Sequence, residues 1–142
     1  MKKLKVGIIG CGGIANGKHL PSLAHQSHRL EIVAFCDIIE ERATALRDKY
    51  YPDAAVYTDY KELLKDESID AVDICTPNYL HSIIAVDAFK AGKHVLCEKP
   101  AARILSEALE MQKVAHETGK ILNIGVVNRF NTYVMKIREL IM

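Results

Sequence analysis

The chain has 142 residues, 49% of them hydrophobic, and its 19 lysines and arginines nearly balance its 18 aspartates and glutamates. This length is enough for one domain with a core, which would bury roughly 70% of the unfolded surface. The near-neutral charge provides no basic surface for nucleic acid, and no apolar run approaches the roughly 18 residues of a membrane span. We therefore expect no nucleic-acid partner and no membrane insertion.

The cysteines and the N-terminus indicate the compartment. The four cysteines lie far apart without a C-x-x-C pair, which favours free thiols in a reducing cytoplasm over disulfides or a metal site. The basic start at Met1 is followed by a short apolar run, which we interpret as a first strand and not as a signal peptide. We expect a cytoplasmic protein without a metal.

Predicted strands and helices alternate along the whole chain. Short, mostly apolar strands of this kind indicate a parallel sheet covered by helices on both faces. Right-handed crossovers then predict an α/β fold, a doubly wound Rossmann sheet of order 3-2-1-4-5-6, which binds ligands beyond the carboxyl ends of its strands. The predicted strands are 4–9, 31–36, 54–57, 71–75, 94–97 and 121–126, and the predicted helices are about 13–27, 40–50, 59–65, 78–91, 104–118 and 131–142.

The first strand leads into the sequence Gly10-x-Gly12-x-x-Ala15, which is typical of a dinucleotide-binding turn. Gly10 permits a tight turn, and Gly12 lets a pyrophosphate approach the backbone. Ala15 lets the helix pack close to the strand, and the helix N-terminus at Gly13 and Ile14 offers free N–H groups to phosphates. We expect these five residues to bind a cofactor, although a simple glycine turn is the alternative.

An acid, Asp37, ends the second predicted strand about 20 residues beyond the glycine turn. A carboxylate there accepts hydrogen bonds from the ribose hydroxyls of an adenosine and repels a 2′-phosphate, which favours NAD over NADP. Arg42, one turn into the next helix, keeps NADP possible. The alternative is a solvated acid at a helix start, next to Glu40 and Glu41.

The segment Thr76-Pro77-Asn78 ends the fourth predicted strand abruptly. Pro77 cannot extend the sheet, and Asn78 is a good cap for the following helix. Its place where the strand order reverses favours a cofactor contact, and we expect His81, one turn later, to face the same cleft. A plain strand-to-helix turn with a structural histidine is the alternative.

The fifth predicted strand is followed by Glu98-Lys99-Pro100. An acid and a lysine beside a rigid proline suit proton transfer and the positioning of a carbonyl or hydroxyl group. A surface ion pair is the alternative.

Together these segments closely resemble the N-terminal half of the Gfo/Idh/MocA family, named for glucose–fructose oxidoreductase, inositol dehydrogenase and a rhizopine-catabolism protein. The resemblance runs from Lys3 to at least Phe130. The two later motifs are far more specific than the glycines. The residues that carry it, in order, are Gly10-x-Gly12-x-x-Ala15, His19, Asp37, Thr76-Pro77-Asn78-x-x-His81 and Glu98-Lys99-Pro100.

The resemblance implies an NAD(P)-dependent oxidoreductase that acts on sugars, polyols or related hydroxy or imino compounds. In such enzymes the lysine of Glu-Lys-Pro lies beside nicotinamide and substrate, which implies a catalytic role for Lys99. It also implies that the segment around Asn128 leads towards a second domain and touches the cleft. The implied cofactor contacts are Thr76, Pro77, Asn78, His81, Glu98, Lys99, Asn128 and Arg129.

Family members run to about twice this length, and their second half carries most of the substrate pocket and the oligomer interface. The resemblance therefore implies that residues 1–127 form the NAD(P)-binding domain and that 128–142 begin the connection to a second domain. We expect a fragment of a longer protein that lacks a complete active site by itself, with a sugar or polyol substrate and homo-oligomers formed through the missing domain.

Two other functions remain open on the sequence. A non-catalytic NAD(P)-binding or redox-sensing module would share every cofactor feature, although Lys99 would have no role there. A methyltransferase that uses S-adenosylmethionine also has a glycine turn and an acid after the second strand. It would give no reason for the segments around Thr76 and Glu98.

Overall fold

A computed structural model, which describes residues 2–142, has six parallel strands in the order β3-β2-β1-β4-β5-β6. The predicted α/β class and the predicted Rossmann strand order are both confirmed. The strands are β1 (Leu4–Ile9), β2 (Leu30–Cys36), β3 (Ala55–Tyr57), β4 (Ala71–Ile74), β5 (His94–Cys97) and β6 (Leu122–Ile124). The α-helices are α1 (Leu20–Ala24), α2 (Glu40–Tyr50), α3 (Tyr60–Lys65), α4 (His81–Lys90), α5 (Leu105–Glu117) and α6 (Thr132–Ile141).

The strand register aligns all six carboxyl ends along one edge of the sheet. Ile9 of β1 lies beside Cys36 of β2 and Ile74 of β4, and Ile74 lies beside Cys97 of β5. Because the strands end together, the residues that follow them share this edge, which we call the carboxyl edge. The chain order reverses there between β1 and β4, as a ligand site in a doubly wound sheet requires.

Each face of the sheet carries its own apolar core. Ile8 and Phe35 pack with Leu20 on one face, while Ile74 packs with Phe89 and Met111 on the other. Each of these six side chains is fully buried, with 0% of its surface exposed. Burial on both faces explains why the strands read as nearly continuous apolar runs.

The first helix differs from its prediction. It is helical from Gly13 to Ala24, ends before Ser27, and is a π-helix over Ala15–His19. The N–H of Leu20 donates to the carbonyl of Ala15, five residues earlier. This wider turn brings both Ala15 and Leu20 to the buried face, since residues five apart then lie on nearly the same side.

The predicted helix cap at Asn78 is wrong, whereas Asp59 caps α3 by accepting from the Lys61 N–H. Asn78 caps nothing, because it begins a 3₁₀ turn, Asn78–Leu80, ahead of α4. The local pattern gave the right place for the helix and the wrong residue for its start.

The helix α6 follows a 3₁₀ turn at Val127–Phe130 and lies apart from the core. Asn131 caps it, accepting from the N–H groups of Tyr133 and Val134. Its apolar residues stay in solvent, with Tyr133 80% and Leu140 74% exposed. None of the helices within residues 2–142 has the length and hydropathy needed to cross a bilayer.

Candidate functional site

The glycine turn lies at the centre of the carboxyl edge. Gly10 has φ +95°, and a Cβ there would lie 2.7 Å from the carbonyl carbon of Cys75, so this position accepts only glycine. A Cβ at Gly12 or Gly13 would meet nothing within 4 Å. Gly10 therefore fits the turn against the end of β4, while Gly12 and Gly13 leave open space in front of a helix N-terminus.

Asp37 is tied directly to this turn. Its Oδ2 accepts the Cys11 N–H at 2.8 Å, and its Oδ1 accepts the Ile39 N–H at 2.9 Å. An ionised carboxylate has about four acceptor positions, so each oxygen keeps one for another donor. A pair of neighbouring hydroxyl groups fits the two free positions.

The glycine turn and Asp37 line a cavity of about 550 Å³, which we call the first cavity. Thr76 lines it too, and its Oγ1 is buried without a partner among the described residues. A buried hydroxyl without a protein partner is free to bond a water molecule or a ligand group that enters the cavity. Of the predicted cofactor residues, the first cavity brings together Gly10, Gly12, Gly13, Ile14, Asp37, Thr76 and Pro77.

A second cavity, of about 710 Å³, lies over the ends of β5 and β6 and shares Ile14 with the first. Lys99 is exposed at its mouth. Asp37 thus lines the first cavity with the glycine turn, and Lys99 lines the second. Of the predicted residues, the second cavity brings together Ile14, Glu98, Lys99 and Asn128.

Four predicted site residues line neither cavity. Ala15 is fully buried and packs in the core beneath the turn, as its small size suggests. Asn78 and Arg129 are exposed outside both cavities. Their proposed cofactor contacts receive no support from the geometry.

His81 is the fourth of these residues, and its ring is only 1% exposed. Its Nδ1 lies 2.7 Å from the Pro100 carbonyl and its Nε2 lies 2.9 Å from the Thr76 carbonyl. Both ring nitrogens therefore face backbone carbonyls, and His81 turns neither of them to a cavity. The ring instead joins the two segments that follow β4 and β5.

His19 contributes a group that the motifs alone did not place in the site. Its Nδ1 lies 2.7 Å from Asp73 Oδ2 and its Nε2 lies 2.9 Å from Glu98 Oε1. The Glu98 Oε2 also accepts the Lys99 N–H at 3.0 Å. The sequence held one signal for this network, because Asp73 is an acid inside an otherwise apolar buried strand.

The electrostatics favour a cationic His19. The hydrogen bond to Asp73 raises the pKa of His19 to about 9, against the opposing effect of burial, and Glu98 adds to the rise. Burial acts to raise the pKa of Glu98, but the hydrogen bonds from His19 and Lys99 bring it below its usual value. Asp73, His19 and Glu98 thus form a charged group of three at the base of the second cavity.

Three potential metal ligands also meet here, since His19, Asp73 and Cys75 present atoms within 4.8 Å of one another. His19, however, already has a carboxylate on each ring nitrogen. Burial and then the charge of Asp73 raise the pKa of the Cys75 thiol far above its usual value, so a thiolate ligand is disfavoured. We interpret the group as an ion-paired network.

A larger cavity, of about 950 Å³, lies at the opposite edge of the sheet, next to Leu4 and His94 at the strand starts. Parallel sheets bind their ligands at the other edge. The glycine turn does not line this cavity, and we do not assign the cavity to the site.

The comparisons with known proteins agree with this geometry. Residues 4–126 match the Gfo/Idh/MocA family model, described as "Oxidoreductase family, NAD-binding Rossmann fold". An inositol 2-dehydrogenase of Salmonella typhimurium is 36% identical over 139 residues, which are 97% of this chain and 41% of that protein. The chain therefore spans about two fifths of the length of this curated relative.

Two solved structures share the fold. The WlbA dehydrogenase from Bordetella pertussis, in complex with NADH and UDP-GlcNAcA, superimposes with a TM-score of 0.92 at 29% identity, covering 99% of this chain and 42% of that one. A 3-ketoreductase from Actinomadura kijaniata, in complex with NADP and TDP-benzene, has a TM-score of 0.82 at 31% identity, covering 87% of this chain and 37% of that one.

The family model covers all six strands, the whole first cavity, and the second cavity except Val127 and Asn128. With the glycine turn, the acid after β2 and the strand order all in place, the chain belongs to the Gfo/Idh/MocA family of oxidoreductases, of which it carries the NAD-binding Rossmann fold.

Proposed function

We propose that this domain binds NAD and serves an oxidoreductase that transfers a hydride between nicotinamide and a sugar, polyol or related hydroxy compound. The observation that carries the proposal is the pair of cavities that meet at Ile14, with Asp37 in one and Lys99 in the other. A dinucleotide has two such ends joined by a pyrophosphate, and Ile14, at the helix start beside the glycine turn, lines both cavities.

The residues of the first cavity would hold the adenosine and the pyrophosphate. Asp37 would accept hydrogen bonds from the ribose hydroxyls with its two free acceptor positions. The open space at Gly12 and Gly13 would admit the pyrophosphate to the N–H groups of the helix start, where the helix dipole favours negative charge. Thr76 would complete its hydrogen bonding with a ligand oxygen.

The residues of the second cavity would then face the reacting end. Bound nicotinamide supplies a hydride donor or acceptor. Lys18 and Lys99 are the two exposed ammonium groups at this cavity. We propose that Lys99, which follows β5 in the Glu98-Lys99-Pro100 segment, holds the reacting oxygen of the substrate or transfers its proton. Glu98 is bonded to His19 and to the Lys99 N–H, so its role would be to hold Lys99 and not to contact the ligand.

The position of Asp37 favours NAD over NADP, because its charge would repel a 2′-phosphate. Arg42 lines the same cavity and is the group that would admit NADP. Both cofactors occur among the similar structures, bound to those proteins. We place NAD first because Asp37 is held by two backbone N–H groups beside the turn.

The domain boundary, the oligomer and the location remain proposals. We propose residues 1–127 as the NAD-binding domain and 128–142 as the start of a connection to a second domain. The exposed apolar side chains of α6, such as Tyr133 and Leu140, support a covering partner for this segment. Homo-oligomers through that second domain and a cytoplasmic location, which the four free cysteines favour, complete the proposal.

Titration of the chain with NADH, followed by its fluorescence, tests the binding. We expect saturable binding, and Asp37→Ala should weaken it about tenfold or more because charge-assisted hydrogen bonds to the ribose are lost. Asp53→Ala, which replaces an exposed aspartate, is the matched control and should bind as the wild type does. Folded protein that binds neither NADH nor NADPH would exclude the proposal.

Lys99→Ala tests the catalytic role in a protein that carries this domain together with a substrate domain. We expect cofactor affinity to be retained and the turnover of a polyol panel to fall at least 100-fold. Unchanged turnover would remove Lys99 from the mechanism and favour a non-catalytic NAD-binding module.

A further inference from the structure

The group formed by Asp73, His19 and Glu98 joins three elements that the proposed mechanism leaves unexplained. Asp73 is in β4 and 1% exposed, Glu98 follows β5 and is 9% exposed, and His19 ends the π-helical turn after β1. Separations of 54 and 79 residues make both contacts long-range. An ion group buried to this extent costs desolvation, so it is poorly explained as a general stabiliser.

The π-helical turn explains how His19 reaches the group. The hydrogen bond from Leu20 to Ala15 widens the helix at this one turn. His19, four residues after the buried Ala15, then lies close to the same side and points its ring at the sheet edge. Single π-helical turns of this kind occur frequently at functional sites.

We propose that His19 is a positioning residue, which as the cation between Asp73 and Glu98 fixes the Glu98 carboxylate and through it the backbone of Lys99 at the mouth of the second cavity. Hydrogen bonds connect His19 to Lys99 without a gap. Glu98 Oε1 contacts His19 at 2.9 Å, and its Oε2 accepts the Lys99 N–H at 3.0 Å. The two oxygens of one carboxylate thus join the cation to the lysine.

Gly125 lies next to the Glu98 carboxylate. A Cβ at Gly125 would lie only 3.3 Å from Glu98 Oε1, so a side chain there would press on the carboxylate. Glu98 therefore has His19, the Lys99 N–H and the Gly125 backbone around it. A neutral His19 donates only one ring hydrogen, so one of its two carboxylate contacts is lost when it deprotonates.

No other titratable group described near His19 supplies the positive charge between Asp73 and Glu98. Cys75 and Cys97 lie beside the acids, and burial first, then those acids, raises the pKa of both thiols, so they stay neutral. Lys18 and Lys99 line the same cavity but are exposed. His19 is thus the partly buried cation between Asp73 and Glu98.

The functional meaning of this inference rests on the proposed role of Lys99, and the test separates the two. We would titrate the ¹³C,¹⁵N-labelled chain from pH 6 to pH 10.5 and record ¹³C-detected spectra, which do not depend on rapidly exchanging amide protons. We expect the His19 ring to titrate near pH 9. The Glu98 side-chain carboxyl and the Lys99 backbone carbons should follow with the same midpoint.

His19→Gln should abolish this step at Lys99, while His25→Gln, which replaces an exposed histidine, should retain it. Glu98→Gln should lower the His19 midpoint and uncouple Lys99. A Lys99 signal that shows no step in the wild type, or that keeps the step in His19→Gln, overturns the proposal. Should His19→Gln fail to fold, the wild-type titration and Glu98→Gln decide the question by themselves.

Addition of zinc and addition of NADH to the same labelled chain complete the test. Zinc should leave the His19 and Cys75 signals unchanged, and zinc-dependent shifts at both would replace the ion group with a metal site. NADH tests the proposed function separately. Absent binding with the Lys99 step intact would overturn the cofactor proposal alone, and binding without the step would overturn the positioning role alone.

Discussion

The Asp37 carboxylate accepts the backbone N–H of Cys11 at 2.8 Å, which joins the end of β2 to the glycine turn after β1. The acid is thereby held at a fixed place relative to the turn before any ligand arrives. In a dinucleotide site this preorganises the distance between the ribose and the pyrophosphate, and less ordering remains to oppose binding.

The first prediction concerns cofactor selectivity. Asp37→Asn keeps an oxygen that accepts the Cys11 N–H but removes the negative charge, so the repulsion of a 2′-phosphate is relieved. We expect the ratio of NADPH affinity to NADH affinity to rise about tenfold, which corresponds to about 1.4 kcal/mol. Fluorescence titrations with both cofactors measure the ratio. A ratio equal to that of Asp53→Asn would show that the charge of Asp37 does not select the cofactor.

The second prediction separates two glycines of the same turn. Gly10→Ala forces a side chain into φ +95° and against the Cys75 backbone, so we expect unfolding to become easier by at least about 2 kcal/mol. Gly12→Ala meets no protein atom and should retain stability within about 1 kcal/mol, while its methyl group occupies the first cavity and weakens NADH binding.

Urea unfolding and NADH titration of the two variants test this contrast. Gly17→Ala, at an exposed helical position with open space around it, controls for the general effect of alanine in a helix. Equal stability of Gly10→Ala and Gly17→Ala would contradict the close packing of the turn on β4. Unchanged NADH affinity in Gly12→Ala would contradict pyrophosphate binding at the turn.

The strand order and the place of the site follow from local sequence alone. Alternating strands and helices fix a parallel sheet, and the residues after each strand must then meet at one edge. The strand ends alone predict Asp37, Thr76 and Glu98 as neighbours at this edge, and in the structure they line the two cavities there. That residues after parallel strands meet at one edge depends only on where the strands end, so it can be applied without knowledge of side-chain contacts.

Side-chain contacts between segments that are distant in the chain cannot be predicted from the local sequence pattern. His81 looked like a residue of the cleft because its helix starts there, but the Pro100 carbonyl that engages it comes 19 residues later. The motif includes His19 but does not predict its contacts, because a π-helical turn has no characteristic spacing of residues in the sequence. Only Asp73, an acid in an apolar strand, indicated that a buried partner was required.

The third prediction is the pH dependence of stability. The pKa of His19 is raised to about 9 from an ordinary value of 6.5, so protonation stabilises the folded state. This contribution, roughly 3 kcal/mol by linkage, is fully present below pH 6.5 and is lost as the pH rises through 9. The stability difference between wild type and His19→Gln should therefore shrink between pH 6 and pH 10. A difference independent of pH in urea unfolding would contradict a protonated His19.

The fourth prediction concerns Lys93, a buried lysine at the opposite edge of the sheet. Its Nζ donates to the Asp66 carbonyl at 2.7 Å and to the Ile69 carbonyl at 2.8 Å, while burial lowers its pKa. Lys93→Met keeps the apolar stem but leaves both carbonyls without this donor. The Asp66 carbonyl keeps the Ile69 N–H as a donor at 3.2 Å, so only the Ile69 carbonyl is left unpaired. An unpaired carbonyl costs about 1–3 kcal/mol, and relief from burying an ammonium group offsets part of this, so we expect a net loss of about 1 kcal/mol.

Lys90→Met, on the exposed side of α4, is the matched control and should change stability by less than about 0.5 kcal/mol. Urea unfolding compares the two variants. Because Lys93 lines the cavity at the strand starts, away from the glycine turn, folded Lys93→Met should bind NADH with wild-type affinity. Equal stability of the two variants would mean that water replaces the lysine at both carbonyls. A change in NADH affinity would show that the two edges of the sheet are coupled, which the separate positions of the cavities argue against.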